Sequence, residues 1–223
     1  MKRLPILLTV PLMLVAACSA SNQTTGGSNR NGTAAAGSTV PAAGGSTLAA
    51  SPPVTAAGGG QAAVPVEKNP PGDIPDNVAY VPYTNTAGKY SFTHPEGWAE
   101  TTKGSSVTFT DKLNGVQGSS GALTAAPTVD SAKQQDVPAL MRNQAAFELR
   151  GVTAVSEPGG SGVRIVYRRN SAPDPVTGRQ YRDEVERYEL VSPGREVIVE
   201  LYGPVGSDNV DAYKTMITSL KIA

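Results

Sequence analysis

The sequence holds one cysteine, one histidine and one tryptophan in 223 residues. A single thiol leaves no partner for an intramolecular disulfide, and one histidine without cysteines around it excludes the usual zinc patterns. Aromatic residues make up only 5% of the chain, and none occurs before Tyr80. Charge is also scarce and balanced, with 19 basic and 19 acidic side chains. There is no Lys/Arg tract, so no nucleic-acid partner is expected. The longest apolar run, Leu4 to Val15, is interrupted by Pro5, Thr9 and Pro11 and falls short of the ~20 residues that span a bilayer. No Gly-x-Ser-x-Gly elbow and no internal repeat occur.

What is present divides the chain into three materials. Residues 1–17 read as a secretory signal: Lys2 and Arg3 are the positive head, Leu4 to Val15 the apolar body, and Ala16 and Ala17 the small residues at a cleavage site. Residues 18–72 are rich in Gly, Ala, Ser, Thr and Pro and carry few charges, chiefly Arg30, Glu67 and Lys68. Such a segment buries too little apolar surface to offset the entropy of ordering it, and it reads as a disordered tether. As a flexible coil its root-mean-square span is roughly 40 Å. Residues 73–223 carry all the aromatics, with 15 basic and 18 acidic side chains, hence a net charge of 15 − 18 = −3. About 150 residues suit one domain, whose core must hold without disulfides, and a monomer is expected.

The sole cysteine follows Leu14-Val15-Ala16-Ala17, and this stretch resembles the lipobox of bacterial lipoproteins. The resemblance implies cleavage after Ala17, lipid attachment at Cys18, and anchoring at the extracytoplasmic face of the cell membrane. The membrane is then one partner, reached through Cys18. An ordinary secretory signal cut near Ala20 is the alternative. Val15 stands where the family usually has leucine, and Ser19 is not the aspartate that marks inner-membrane retention.

Within residues 73–223 the pattern is mostly strand. Tyr90, Phe92 and His94 alternate with Ser91 and Thr93, and Pro95-Glu96-Gly97 breaks the run before Trp98. Val107 and Phe109 alternate up to Asp111, Asn114-Gly115 predicts a hairpin turn, and Gly121 to Ala126 the return strand. Pro138 predicts the first turn of a helix running to Leu149. Short or long strands are expected at Thr153–Val155, Val163–Arg169, Gln180–Val191 and Glu196–Tyr202. Asp208 is expected to cap a last helix with Val210, Tyr213, Ile217 and Leu220 on its buried face. Strands in hairpins with helices packed on them make an α+β domain with a largely antiparallel sheet.

The run Tyr90 to Trp98, with its Pro-x-Gly-Trp, and the ending Asp208 to Ile222 resemble PsbP-like domains. The resemblance covers about 130 residues and implies an antiparallel sheet flanked by helices. It also implies an accessory or binding role and no established enzymatic activity. No cofactor is expected.

Candidate chemistry is thin. His94 could serve a Ser-His-Asp site, with Asp111 or another acid, but the triad needs three placed groups. Packing or hydrogen bonding is the plainer role. Asp183, Glu184 and Glu186 could hold a hard cation, but Arg182 and Arg187 flank them and Arg164, Arg168 and Arg169 can pair across, so a charged sheet face is expected and no metal. Trp98 is expected as a core anchor rather than the wall of a groove, and Gly203-Pro204-Val205-Gly206 as a simple loop rather than an anion site. The function expected is a non-enzymatic accessory, interaction or ligand-binding module with an envelope protein or small ligand as partner. A cell-surface hydrolase around His94 is the alternative.

Overall fold

The computed structural model describes residues 60–223. The expected signal peptide, Cys18 and residues 18–59 of the expected tether lie outside the described residues. The strands are β1 (Tyr80–Asn85), β2 (Tyr90–Pro95), β3 (Ala99–Lys103), β4 (Ser106–Asp111), β5 (Asn114–Ala122), β6 (Glu148–Glu157), β7 (Gly160–Asn170), β8 (Arg182–Ser192), β9 (Arg195–Pro204) and β10 (Lys221–Ile222). The helices are α1 (Val129–Ser131), a π-helical turn (Ala132–Asp136) running directly into α2 (Val137–Asn143), and α3 (Val210–Thr218). The α+β expectation holds. Seven strands form one sheet in the order β3-β4-β5-β9-β8-β7-β6, three form a second in the order β1-β2-β10, and every pairing is antiparallel.

Two apolar clusters divide the domain into layers. On one face of the large sheet, Val107, Phe109, Val116, Leu190, Val199 and Leu201 pack against Tyr90 and Phe92 of the small sheet and Met216, Ile217 and Leu220 at α3. The period-two reading of β2 is correct: Tyr90 and Phe92 are both buried, with rings stacked 6.1 Å apart. On the other face, Val163, Ile165, Tyr167 and Val185 meet Ala132, Val137 and Leu140 of the first helical stretch and Phe147.

Several boundaries differ from expectation for local reasons. The turn between β4 and β5 is Lys112-Leu113, closed by the pair Asp111–Asn114; Asn114 and Gly115 belong to the strand. Lys112 takes the left-handed φ of 50° that the expected turn assigned to asparagine or glycine. The return strand therefore starts seven residues before Gly121. The helix expected from Pro138 to Leu149 begins at Val129, where Thr128 and Ser131 exchange backbone-to-hydroxyl hydrogen bonds of 3.1 and 2.8 Å. Pro138 stands in the first turn of α2, as expected, within this continuous helical stretch. A proline ring there would crowd the carbonyl four residues back, and the π turn just before it widens the helix. The helix ends at Asn143, and Leu149 lies in β6, a ten-residue edge strand where only Thr153–Val155 was expected. In α3 the N-cap position is Asn209, not Asp208, and Val210 is 72% exposed.

Residues 61–72, grouped with the tether by composition, carry hydrogen bonds to the domain, from Gln61 to Gln180 through to Gly72 at Asn114.

Candidate functional site

The segment Pro71–Val78 enters the fold across the end of the large sheet, and two asparagines hold it there. Asn209 Oδ1 accepts the Ile74 N–H at 2.8 Å, and its Nδ2 donates to the Gly72 carbonyl at 3.2 Å and to Asn114 Oδ1 at 3.0 Å. Asn114 Nδ2 donates to the same Gly72 carbonyl at 2.7 Å. Both asparagines are buried, so these bonds are formed away from competing water. Two glycines make room for them. Gly72 has φ +135°, where a side chain is strained and would press on Pro204 and Ser207. A Cβ on Gly203 would run into the Asn114 and Asn209 amides and the Tyr213 hydroxyl.

Between this segment and the β2–β3 and β4–β5 turns lies a cleft of about 400 Å³. Pro71, Ile74, Pro75, Val78 and Trp98 supply apolar wall; Asp73, Glu96, Asp111, Lys112 and Asn114 supply polar groups. Gly97, at φ +83°, turns the chain so that Trp98 reaches the wall. Trp98 is half-buried, packed against the core on one side, and not the fully buried anchor expected from sequence. An apolar pocket of this size with a few convergent polar groups is the usual form of a ligand site. Three carboxylates stand against one ammonium around an indole, which favours a cationic ligand. None of the lining residues is a histidine, cysteine, serine, threonine or tyrosine. The side chains the cleft presents are carboxylates, one ammonium, an amide and an indole.

His94 lies elsewhere, buried between the sheets. Its Nδ1 is 2.9 Å from the carbonyl of Pro95, so that nitrogen carries the proton. Burial lowers its pKa, opposed by the Pro95 bond and by Glu100. Among the described residues no hydroxyl or carboxylate hydrogen-bonds to it, so the structure does not bring a triad together around it.

The carboxylates of β8 separate by face, as strand alternation requires. Glu184 pairs with Arg168 at 2.9 Å and Glu186 with Arg164 at 3.9 Å, whereas Asp183 points to the opposite face beside Arg169 at 3.8 Å. Burial pushes the Asp183 carboxyl up to about 6, partly countered by Arg169 and Arg182. The helix-side face holds a charge triad that the sequence reading did not find. Arg187 donates to Glu189 at 2.7 Å and Glu200 at 2.8 Å, and Tyr167 donates to the same Glu200 oxygen at 3.3 Å. The alternation of Arg187 with Glu189 was visible, but Glu200 comes from β9 through the pairing Arg187–Glu200. The asparagine clasp was also invisible in sequence: Asn114 read as a turn residue, and its partner Asn209 lies 95 positions away. Gly203 and Pro204 end β9. Among the described residues no cluster of three or more metal-ligating side chains occurs, and no helix is long and apolar enough to cross a membrane.

No protein-family profile matches the chain, and no characterised protein matches it in sequence. Solved structures do. A Bacteroides thetaiotaomicron protein matches at 14% identity over 64% of this chain, with a TM-score of 0.40; the match spans 48% of that protein's length. The cyanobacterial PsbP of Synechocystis, CyanoP, is 18% identical over 68% of this chain and 98% of its own, with a TM-score of 0.46. LpqN of Mycobacterium tuberculosis, described as involved in cell envelope biogenesis, is 13% identical over 66% of this chain and 92% of its own, with a TM-score of 0.40.

Proposed function

We propose that the chain is a lipoprotein anchored through Cys18 at the extracytoplasmic face of the cell membrane, and that its PsbP-like domain is a non-enzymatic binding module. The ligand is a cationic, partly apolar group, such as a lysine or arginine side chain presented by an envelope protein. The observation that carries this reading is the placement of the only tryptophan, partly buried, on a cleft wall ringed by Asp73, Glu96 and Asp111. Indole faces attract cations by about 0.5–2 kcal/mol, and carboxylates at the rim add to that attraction. The lipobox-like stretch before Cys18 supports the anchor.

Because Trp98 is the sole tryptophan, its fluorescence reports the cleft directly. Titration with a short arginine-containing peptide should shift the emission saturably, less so in high salt, and less in a Glu96→Gln/Asp111→Asn variant. An acidic peptide of equal length should not. Equal responses to both peptides, or none to either, overturn the reading. For the anchor, Cys18→Ala should release the protein from the membrane fraction; quantitative retention with the membrane overturns that part alone.

A further inference from the structure

At the C-terminal end of β7 the chain's own residues 61–67 lie against a cluster of polar side chains. Asn170 is 3% exposed, yet its side chain reaches out to backbone. Its Oδ1 accepts the Val64 N–H at 3.0 Å and its Nδ2 donates to the Ala62 carbonyl at 2.8 Å. One amide thus engages the carbonyl and the N–H on either side of Ala63, as a neighbouring strand would, and this reads an extended backbone without regard to its side chains. The Asn170 amide is fixed in that pose. Arg182, itself buried, donates to Asn170 Oδ1 at 3.3 Å while being held by the Ala146 carbonyl at 2.7 Å and Glu148 at 3.0 Å. Selectivity comes from the flanks. Arg179 pairs with the Glu67 carboxylate, and Gln180 accepts from Gln61 at 2.7 Å.

The occupant is weakly held for so well-built a receptor. Residues 61–67 are mostly exposed, and the hydrogen bonds and ion pair just named are what fastens them. Segments with few buried contacts open at low free-energy cost. Gln61, Asn170 and Gln180 also line a cleft of about 440 Å³ together with Gln144, Arg169 and Ser171.

We propose that this surface is a binding site for an extended segment of a partner protein, with the chain's own residues 61–67 as its resident occupant. The partner segment presents a carbonyl and an N–H flanking one residue, and a carboxylate five residues beyond that carbonyl, matching Ala62, Val64 and Glu67. A tethered occupant competes at millimolar effective concentration, so the site is closed to weak peptides at rest and opens to those that outcompete it.

The test uses the full chain and a labelled synthetic peptide of residues 60–69. Val64→Pro with Glu67→Lys removes the N–H donated to Asn170 and the carboxylate at Arg179, which frees the site while altering only exposed or half-exposed positions. The peptide should bind this variant on the order of tenfold or more tightly than wild type. Adding Arg179→Glu should weaken it, and a peptide carrying Glu67→Lys should restore binding to that chain. In wild type the Val64 amide should exchange slowly, and faster with excess peptide. Equal binding to wild type and the opened variant, no binding to the opened variant, indifference to the charge swap, or an unprotected Val64 amide each overturns the proposal.

Discussion

The imidazole of His94 lies flat on the ring of Phe109, with centroids 3.6 Å apart and planes within 15°. This contact joins β2 of the small sheet to β4 of the large one, and Phe109 also meets Phe92 and Tyr83 edge-on. The stack explains why the one histidine is better understood as packing than as chemistry.

It also sets a pH dependence. Burial first, and despite the Pro95 bond and Glu100, holds the His94 pKa below its ordinary 6.5. Between the two values the unfolded chain binds a proton that the folded chain refuses, so stability is lost as pH falls through 6.5 toward the folded value. His94→Gln keeps a hydrogen-bonding group but does not titrate. The melting temperature of wild type should fall more between pH 7.5 and 5.5 than that of His94→Gln; parallel curves contradict this account.

Trp98→Ala should cost less than a fully buried tryptophan would. Truncation of a buried one costs about 3–5 kcal/mol, and this ring is only partly buried, so a smaller loss of about 1–2 kcal/mol is expected. The variant should fold and still fail to bind the cationic peptide, measured by calorimetry because the fluorophore is gone. A variant that does not fold would make Trp98 a core residue after all.

Arg187 sits between Glu189 and Glu200. Arg187→Met leaves carboxylates buried without a counter-charge, at a cost of about 3–5 kcal/mol. Burial already raises the Glu189 pKa against the pull of Arg187, and the variant should raise it further. A carboxyl with a raised folded pKa stabilises below the unfolded value, and that contribution is lost as pH rises through the folded one. Denaturant unfolding should therefore show the deficit of Arg187→Met largest at pH 8 and smaller at pH 5. A deficit independent of pH would show that the charges are not what the arginine serves.

The sequence disclosed what depends on near neighbours and hid what depends on distant ones. Alternation in β2, β4, β7, β8 and β9 follows from burial on alternate faces, and each was legible. β6 was seen only in part, because as an edge strand with exposed Arg150, Thr153 and Ala154 it shows little alternation. In α3, Tyr213 and Ile217 face inward as their spacing predicts, and Leu220 does so just past the helix end, but Val210 is exposed. Pro138 stands in the first turn of α2, as its residue type predicts, but helical backbone already runs from Val129 through the π turn, which no proline marks. The cleft required knowing that Asn114 and Asn209 meet around Gly72, which no local pattern carries.

The asparagine clasp has a mechanical consequence. A pull on the N-terminal side of the domain reaches Gly72 and Ile74 before it reaches β1, the outer strand of the small sheet. Without the clasp that load would unzip β1 from β2 one bond at a time. With it, the load passes through Asn114 and Asn209 into β5, near the middle of the large sheet, and to the start of α3, where several bonds share it. Asn209→Ala removes its two side-chain bonds to the chain around Gly72 and its one to Asn114. Stretched from residue 60 against the C-terminus, this variant should yield at lower force than wild type and lose the β1–β2 hairpin first; an unchanged rupture force would place the bearing point elsewhere. The clasp makes the cleft wall a strain relief for the β1–β2 hairpin, since tension arriving along residues 60–71 is carried into the large sheet instead.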